Sequence, residues 1–190
     1  ILQANTNHCR AAQDLLVQTM TDWLVDVAVV AEPYRIPDRW LGDRDGLVAI
    51  AARSSTDSPP LSLLELEVRS GYVAAVWGDL ALVGVYFSPN RPLQAFEDFL
   101  EGLAAVVGRM APRQVSVLGD LNAKSETWGN SATESWAGAR SGEAWAASSG
   151  LSLLNRGSVQ TCVRRQGGSI VDVTFASPVL AARVENWRPT

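Results

Sequence analysis

The stretch "VSVLGDLNAKSETWGN", residues 115–130, begins as an apolar run and becomes polar at Asp120 and Asn122. A continuous apolar run of this length is typical of a strand that is covered on both faces of a sheet. The stretch therefore predicts a buried strand whose end carries a carboxylate and an amide.

A second apolar run, "VDVAVVAEPY", predicts another buried strand, which ends at Glu32 and Pro33. The tight links Ser70-Gly71 and Gly78-Asp79 predict hairpin turns between antiparallel strands. Residues at helical spacing predict an amphipathic helix from Arg10 to Trp23, whose inner face carries Ala12, Leu15, Leu16, Thr19 and Trp23. The further predicted helices span 93–107 and 139–148, and the further predicted strands span 1–5, 47–52, 63–70, 72–77, 80–86, 169–175 and 182–187.

This pattern predicts one domain over residues 1–190 with an α/β (α+β) fold, in which two packed mixed β-sheets are flanked by helices. No apolar run approaches the length of a membrane span, so no membrane partner is expected. Cys9 and Cys162 match neither a disulfide framework nor a zinc site, and we expect two reduced thiols.

The net charge of −4 argues against a protein that binds nucleic acid through overall positive charge, but it leaves room for a local basic face. Of the 16 basic residues, all but Lys124 are arginine, whose planar guanidinium suits phosphate contacts. A GC-rich coding sequence explains this arginine bias equally well.

Polar side chains stand where the predicted buried strands end. Asp and Asn are common in turns, and each residue alone has that simpler explanation. Carboxylates and amides that converge would instead form an all-oxygen site for a hard cation, which favours Mg²⁺, with Mn²⁺ as the alternative. The polar residues at the ends of the predicted strands are Asn5, Glu32, Tyr86, Asp120 and Asn122, and Asp172 lies within the predicted strand at 169–175.

The motifs "LQAN", "AEPY", "YFSPN", "GDLNAKSETWGN" and "SIVDVTF", in this order, resemble the endonuclease domains of non-LTR retrotransposons. These domains belong to the endonuclease/exonuclease/phosphatase superfamily, together with apurinic endonucleases and deoxyribonuclease I. The resemblance runs from Ile1 to Trp187 and implies a four-layer sandwich of the deoxyribonuclease I type. It also implies a nuclear, Mg²⁺-dependent enzyme that needs no small-molecule cofactor.

The resemblance implies a role for each matching position. Glu32 would ligate the metal, with Asn5 in support. Asp120 would orient or deprotonate the attacking water, and Asn122, two residues further along an extended chain, would project to the same side and hold the phosphate. The remaining implied roles are a hydrogen bond from Tyr86 to the phosphate and bracing of the cleft floor by Ser169 and Asp172.

One family motif is missing from the printed chain, which reaches Thr190 without the C-terminal Ser-Asp-His segment. Either the chain is an excerpt, or it is a copy that cannot cleave; we favour the excerpt because the other motifs are intact. The only histidine, His8, is expected to be solvated or to cap the first helix.

The segment "TCVRRQGGS", residues 161–169, predicts a hairpin with Arg164, Arg165 and Gln166 at its tip and a turn at Gly167-Gly168. With Thr161, these residues are candidates for contacting DNA, and two solvated arginines on a turn are the alternative. The resemblance implies an endonuclease that nicks one strand of double-stranded DNA, so that the 3′-hydroxyl primes a reverse transcriptase domain of the same polyprotein. The alternatives are a phosphoesterase acting on small phosphoesters and a catalytically dead DNA-binding remnant.

Overall fold

A computed structural model describes residues 1–53, 62–123, 137–156, 159–164 and 167–189. The chain divides into two compact units, Ile1–Tyr86 and Phe87–Thr190. The single domain over residues 1–190 stays a prediction. No helix in the part of the chain that the structure describes is long and apolar enough to cross a membrane.

In residues 1–53 and 62–86, the described part of the first unit, the chain forms one helix and seven strands. A mixed sheet has the strand order β1-β2-β4-β3, in which only the β1–β2 pair is parallel, and the remaining strands pair antiparallel in the order β5-β6-β7. The elements are β1 (Leu2–Asn5), α1 (Arg10–Asp22), β2 (Val27–Ala31), β3 (Leu41–Gly42), β4 (Val48–Ala52), β5 (Leu63–Arg69), β6 (Tyr72–Trp77) and β7 (Leu80–Tyr86).

Strand β2 is buried along its whole length, as its continuous apolar sequence predicts. On one face, Ala28 and Val30 belong to a hydrophobic cluster with α1. On the other face, a Cβ atom added to Gly84 of β7 would lie 3.2 Å from Cγ1 of Val29. Glycine at this position therefore allows the two sets of strands in this unit to approach closely.

Both predicted hairpins are confirmed. Strands β5 and β6 pair up to Arg69 and Tyr72, and strands β6 and β7 pair up to Trp77 and Leu80. Gly71 and Gly78, in the two turns, have positive φ angles of 84° and 59°. Glycine adopts this left-handed conformation without the steric cost of a side chain, which explains why it marks the turns in the sequence.

The predicted apolar face of α1 is correct at Leu16 and wrong at Leu15 and Trp23. Leu15 and Trp23 are 66% and 57% exposed, whereas the buried side chains of α1 are those of Gln13, Leu16 and Met20. Gln13 can face inward because its side-chain amide is bonded to the backbone of Arg35, donating at 3.0 Å and accepting at 3.2 Å. A polar residue that is satisfied in this way does not show in a hydrophobic pattern.

The second unit contains the strand of the opening stretch. Strand β8 pairs antiparallel with β12, β12 pairs with β9, and β10 and β11 form a separate two-stranded ribbon. The elements are α2 (Leu93–Met110), β8 (Gln114–Asp120), α3 (Ala137–Ser148), β9 (Ser152–Leu153), β10 (Cys162–Arg164), β11 (Gly167–Ser169), β12 (Asp172–Ala176) and α4 (Pro178–Ala181).

The apolar stripe of α2 supplies much of the core of this unit. Phe96, Phe99 and Leu103 are buried, and the rings of Phe96 and Phe99 lie 4.9 and 5.3 Å from the ring of Phe87, between centroids. Burial of aromatic surface with tilted rings is a strong source of stability. The expected strand at 182–187 is wrong, because no strand lies there and the short helix α4 precedes it.

These elements confirm the predicted fold class, which is two mixed β-sheets flanked by helices. Cys9 and Cys162 are free thiols, as expected.

Candidate active site

Asn5 and Glu32 lie at neighbouring strand ends in the first unit. Strands β1 and β2 are parallel, and Asn5 is in register with Ala31, the residue before Glu32. The carboxyl ends of parallel strands meet at one edge of a sheet, where ligands commonly bind. With Tyr86, at the end of β7, these residues form what we call the Glu32 group.

The backbone of Glu32 is held in an unusual conformation. Its φ angle is +46°, in the left-handed region that residues with a side chain seldom adopt. Its carbonyl oxygen accepts hydrogen bonds of 2.8 Å from the Thr6 hydroxyl and from the His8 backbone N–H. Its own N–H donates to the Leu47 carbonyl oxygen at 2.8 Å. Residues that are strained in this way and held by their surroundings concentrate at functional sites.

The side chain of Glu32 is oriented by Tyr86. The Tyr86 hydroxyl donates to Glu32 Oε1 at 2.6 Å, a short bond of the kind formed with a charged acceptor. Tyr86 is only 7% exposed, so the position of its hydroxyl is fixed by packing. Glu32 itself is half-buried. The contact of Tyr86 with a phosphate stays a prediction, and its bond to Glu32 is an additional finding.

The donor atoms of this group fit a magnesium ion. Glu32 offers a carboxylate, and the side-chain oxygen of Asn5, which accepts the Asn7 N–H at 2.8 Å, lies at the neighbouring strand end. Among the residues that the structure describes, no three His, Cys, Asp or Glu side chains are grouped so that they could hold a metal ion. Mg²⁺ commonly takes one or two carboxylates and keeps water or phosphate oxygens as its other ligands. Glu32 would hold such an ion, with Asn5 in support.

In the second unit, Asp120 and Asp172 stand opposite each other on neighbouring strands. They are register partners in the antiparallel pair of β8 and β12. Directly opposed residues of such a pair carry their side chains on the same face of the sheet. Asp120 is 4% exposed and Asp172 is half-buried. With Asn122, they form what we call the Asp120 group.

Asn122 does not continue an extended chain beyond Asp120, so the predicted reason for a common orientation is wrong. Strand β8 ends at Asp120, and Asn122 has a φ angle of +48°. The Asn122 backbone N–H donates to Asp120 Oδ1 at 2.8 Å, and its side-chain Nδ2 donates to the Phe87 carbonyl oxygen at 3.0 Å. A turn closed by the Asp120 carboxylate, rather than the alternation of a strand, brings the two residues together.

Asp172 is fixed by two polar side chains. The Thr161 hydroxyl accepts hydrogen bonds from the backbone N–H groups of Val171 and Asp172, at 3.1 and 3.2 Å. The Asn155 side chain donates to the Asp172 carbonyl oxygen at 2.9 Å and accepts the Thr174 N–H at 2.8 Å. Thr161, a candidate for contacting DNA, therefore also holds the backbone that carries Asp172.

The predicted hairpin is present, but its glycines have a different role. Cys162 pairs with Ser169 and Arg164 pairs with Gly167, so Gly167 and Gly168 belong to β11 and not to the turn. A Cβ atom on Gly168 would collide with the Gln160 side chain and lie 3.0 Å from the Cys162 carbonyl oxygen. Arg165 and Gln166 lie outside the described residues. Ser169 is buried, and its carbonyl oxygen accepts the Thr161 N–H at 3.1 Å.

Three residues that the sequence analysis did not single out support these groups. Thr6 holds Glu32, Phe87 accepts the Asn122 amide, and Asn155 holds Asp172. Each acts on a partner 17 to 35 residues away in the sequence. No local signal marks such a pair, because a Thr or Asn near a strand end is equally typical of a turn.

The comparisons with known proteins match this arrangement. The family model described as "Endonuclease-reverse transcriptase" matches residues 80–190, which is more than half of the chain. The chain belongs to this family. No curated protein matches the chain with significance.

Solved structures of this fold cover nearly the whole chain. The endonuclease domain of TRAS1, a telomere-specific non-LTR retrotransposon, is 27% identical with a TM-score of 0.82, and the match covers 98% of this chain and 89% of that one. The 3′-5′ exonuclease NExo of Neisseria meningitidis is 18% identical with a TM-score of 0.72, covering 97% and 88%. An AP endonuclease of Archaeoglobus fulgidus is 14% identical with a TM-score of 0.72, covering 95% and 87%.

These matches confirm the resemblance seen in the sequence and the deoxyribonuclease I-like fold. The protein is a nuclease of the endonuclease/exonuclease/phosphatase type. The roles of the individual site residues stay predictions.

Proposed function

We propose that this protein is a Mg²⁺-dependent endonuclease that nicks one strand of double-stranded DNA and leaves a 3′-hydroxyl. The observation that carries the proposal is the Glu32 carboxylate at a strand end, held in a left-handed backbone conformation and bonded by the buried Tyr86 hydroxyl. A backbone that is strained and held in this way is common at functional sites.

Each group contributes differently to the reaction. A Mg²⁺ ion on Glu32 would neutralise charge on the phosphate oxygens, a form of electrostatic stabilisation that phosphodiester hydrolysis requires. Asp120 would orient the attacking water and accept its proton. Asn122 uses one side-chain N–H for the Phe87 carbonyl oxygen, and the second N–H of the same amide can donate to a phosphate oxygen. Asp172, opposite Asp120, would support the position of that carboxylate.

The proposed partners are double-stranded DNA and a reverse transcriptase domain of the same polyprotein, which would extend the 3′-hydroxyl. The family match and the TRAS1 endonuclease domain support this context. A nuclear location and DNA contacts from Arg164, Arg165 and Gln166 belong to the same proposal.

A supercoiled plasmid tests the proposal directly. We expect Mg²⁺, or Mn²⁺, to support conversion to open circles and EDTA to stop it, and the nicked ends should prime a DNA polymerase. Glu32→Gln should lower the nicking rate at least about 100-fold, because it removes a charge that acts on the transition state. Glu101→Gln, an exposed residue of α2, makes the same change elsewhere and should cut like the parent.

The outcomes separate the alternatives. Hydrolysis of a soluble phosphomonoester without plasmid nicking would identify a small phosphoesterase. DNA binding without hydrolysis of either substrate would identify a catalytically dead remnant. Equal nicking by Glu32→Gln and Glu101→Gln would refute the metal-binding role of Glu32.

A further inference from the structure

Arg91 is an exposed cation in a segment of fixed backbone. The segment "SPNRP", residues 88–92, contains two prolines, and the Arg91 N–H donates to the Ser88 carbonyl oxygen at 3.4 Å. Each proline restricts its own φ angle and the conformation of the residue before it. Pro92 also caps the N-terminus of α2. Arg91 therefore projects from a short, conformationally restricted loop.

The guanidinium of Arg91 lies on the ring of Phe87, with its Cζ atom 5.2 Å from the ring centroid. Phe87 is 2% exposed and packs against Phe96 and Phe99 of α2, so its ring is a fixed support. An aromatic ring attracts the charge of an arginine without supplying an acceptor oxygen, so the guanidinium can still donate hydrogen bonds to a phosphate. Across the described residues, no carboxylate forms an ion pair with Arg91.

Phe87 also connects this cation to the Asp120 group. Its backbone N–H donates to the Asp120 carbonyl oxygen at 2.9 Å, and its carbonyl oxygen accepts the Asn122 side-chain amide at 3.0 Å. Phe87 thus contacts Arg91 through its side chain, and Asp120 and Asn122 through its backbone. Arg91 is therefore linked through Phe87 to the residues that are proposed to act on the scissile phosphate.

We propose that Arg91 binds a backbone phosphate of the DNA next to the phosphate that is cleaved. This inference rests on the proposed function and adds a subsite to it. The protein has a net charge of −4, so a positively charged overall field cannot supply its affinity for DNA. Cations placed at the site have to supply it, and a preorganised guanidinium loses little conformational freedom when it binds. The contact is to phosphate and therefore does not depend on the base sequence.

The test compares DNA affinity over a range of salt concentrations for the parent and four variants, with EDTA present to prevent cleavage. Arg91→Ala should weaken binding to all duplex sequences alike and reduce the slope of log K against log salt by about 0.9, the value for one phosphate contact. Arg91→Lys should keep the slope, because it retains the charge. Arg113→Ala is the matched control, since this exposed arginine precedes β8 at the end opposite Asp120.

Phe87→Leu tests the contribution of the aromatic ring separately from that of the Arg91 charge. This variant keeps Arg91 and apolar bulk but removes the ring, so its salt slope should match the parent while its affinity falls. If Arg91→Ala and Arg113→Ala show the same salt slope and the same affinity, the role of Arg91 is refuted. The proposed function is not affected by that result if the parent nicks plasmid. A parent chain that neither binds nor nicks DNA would instead refute the proposed function.

Discussion

The Asn155 side chain takes the place of a strand residue, and its replacement tests how Asp172 is positioned. Strand β9 ends at Leu153, where it pairs with Phe175. Beyond it, the Asn155 amide continues the pairing by donating to the Asp172 carbonyl oxygen at 2.9 Å and accepting the Thr174 N–H at 2.8 Å. Asn155→Leu keeps a side chain of similar size and removes both bonds.

The expected loss follows from these two contacts. A hydrogen bond of this kind contributes about 1 kcal/mol net, so removal of both should cost about 2 kcal/mol of unfolding free energy. Asn155 is half-buried, so water can reach part of the site and the larger penalty for fully buried unpaired groups does not apply. For a chain of this length, about 2 kcal/mol corresponds to a fall in Tm of roughly 4–8 °C.

Urea unfolding of the parent, Asn155→Leu and Asn155→Asp measures the effect. Asn155→Asp keeps an oxygen that can accept the Thr174 N–H but cannot donate to Asp172, so its stability should fall between the other two. Asn155→Leu should also lower the plasmid-nicking rate more than DNA affinity, since Asp172 faces Asp120. A stability for Asn155→Leu within about 0.5 kcal/mol of the parent would refute the strand-extension argument, because that is the size of an ordinary surface substitution.

Two further substitutions test the strand ends. Asn122→Gly and Asn122→Ala both remove the side-chain amide and should slow single-turnover nicking alike. Asn122→Ala should be less stable than Asn122→Gly by about 1 kcal/mol, because of these two replacements only glycine adopts the φ angle of +48° without strain. Equal stabilities would contradict the left-handed conformation. Asp43→Asn should lower the unfolding free energy by more than about 2 kcal/mol, since the buried Asp43 carboxylate accepts the backbone N–H groups of Asp45, Leu47, Val48 and Gly71. Urea unfolding measures this free energy, and a change below about 0.5 kcal/mol would show that the four hydrogen bonds to Asp43 do not stabilise the fold.

Strands and turns were predictable where residues within the segment itself determine the structure. Continuous apolar runs marked β2 and β8 because both faces of these strands are covered. Gly71 and Gly78 marked the hairpin turns because their φ angles are positive. In both cases, the residues that determine the structure lie within the segment itself, so the sequence alone contains the signal.

The prediction failed where a distant partner decides the structure. Leu15 looked like a core residue of α1, but Gln13 faces inward because the backbone of Arg35 satisfies its amide. Gly168 looked like a turn residue, but it lies in β11, where a Cβ atom would collide with Gln160. Neither Arg35 nor Gln160 is identifiable as a partner before the chain is folded. The motif residues were found more readily than the residues that hold them.

Two of the predicted site residues, Glu32 and Asn122, share a backbone conformation that the sequence motifs do not reveal. Glu32 and Asn122 both have φ angles near +50°, one residue after β2 and two residues after β8. A left-handed residue turns the chain away from the direction that the alternation of a strand would give. For a glutamate this conformation costs about 1–2 kcal/mol. Thr6, His8 and Leu47 offset that cost at Glu32 through hydrogen bonds to its backbone, so the Glu32 carboxylate is not used to hold the turn and accepts the Tyr86 hydroxyl.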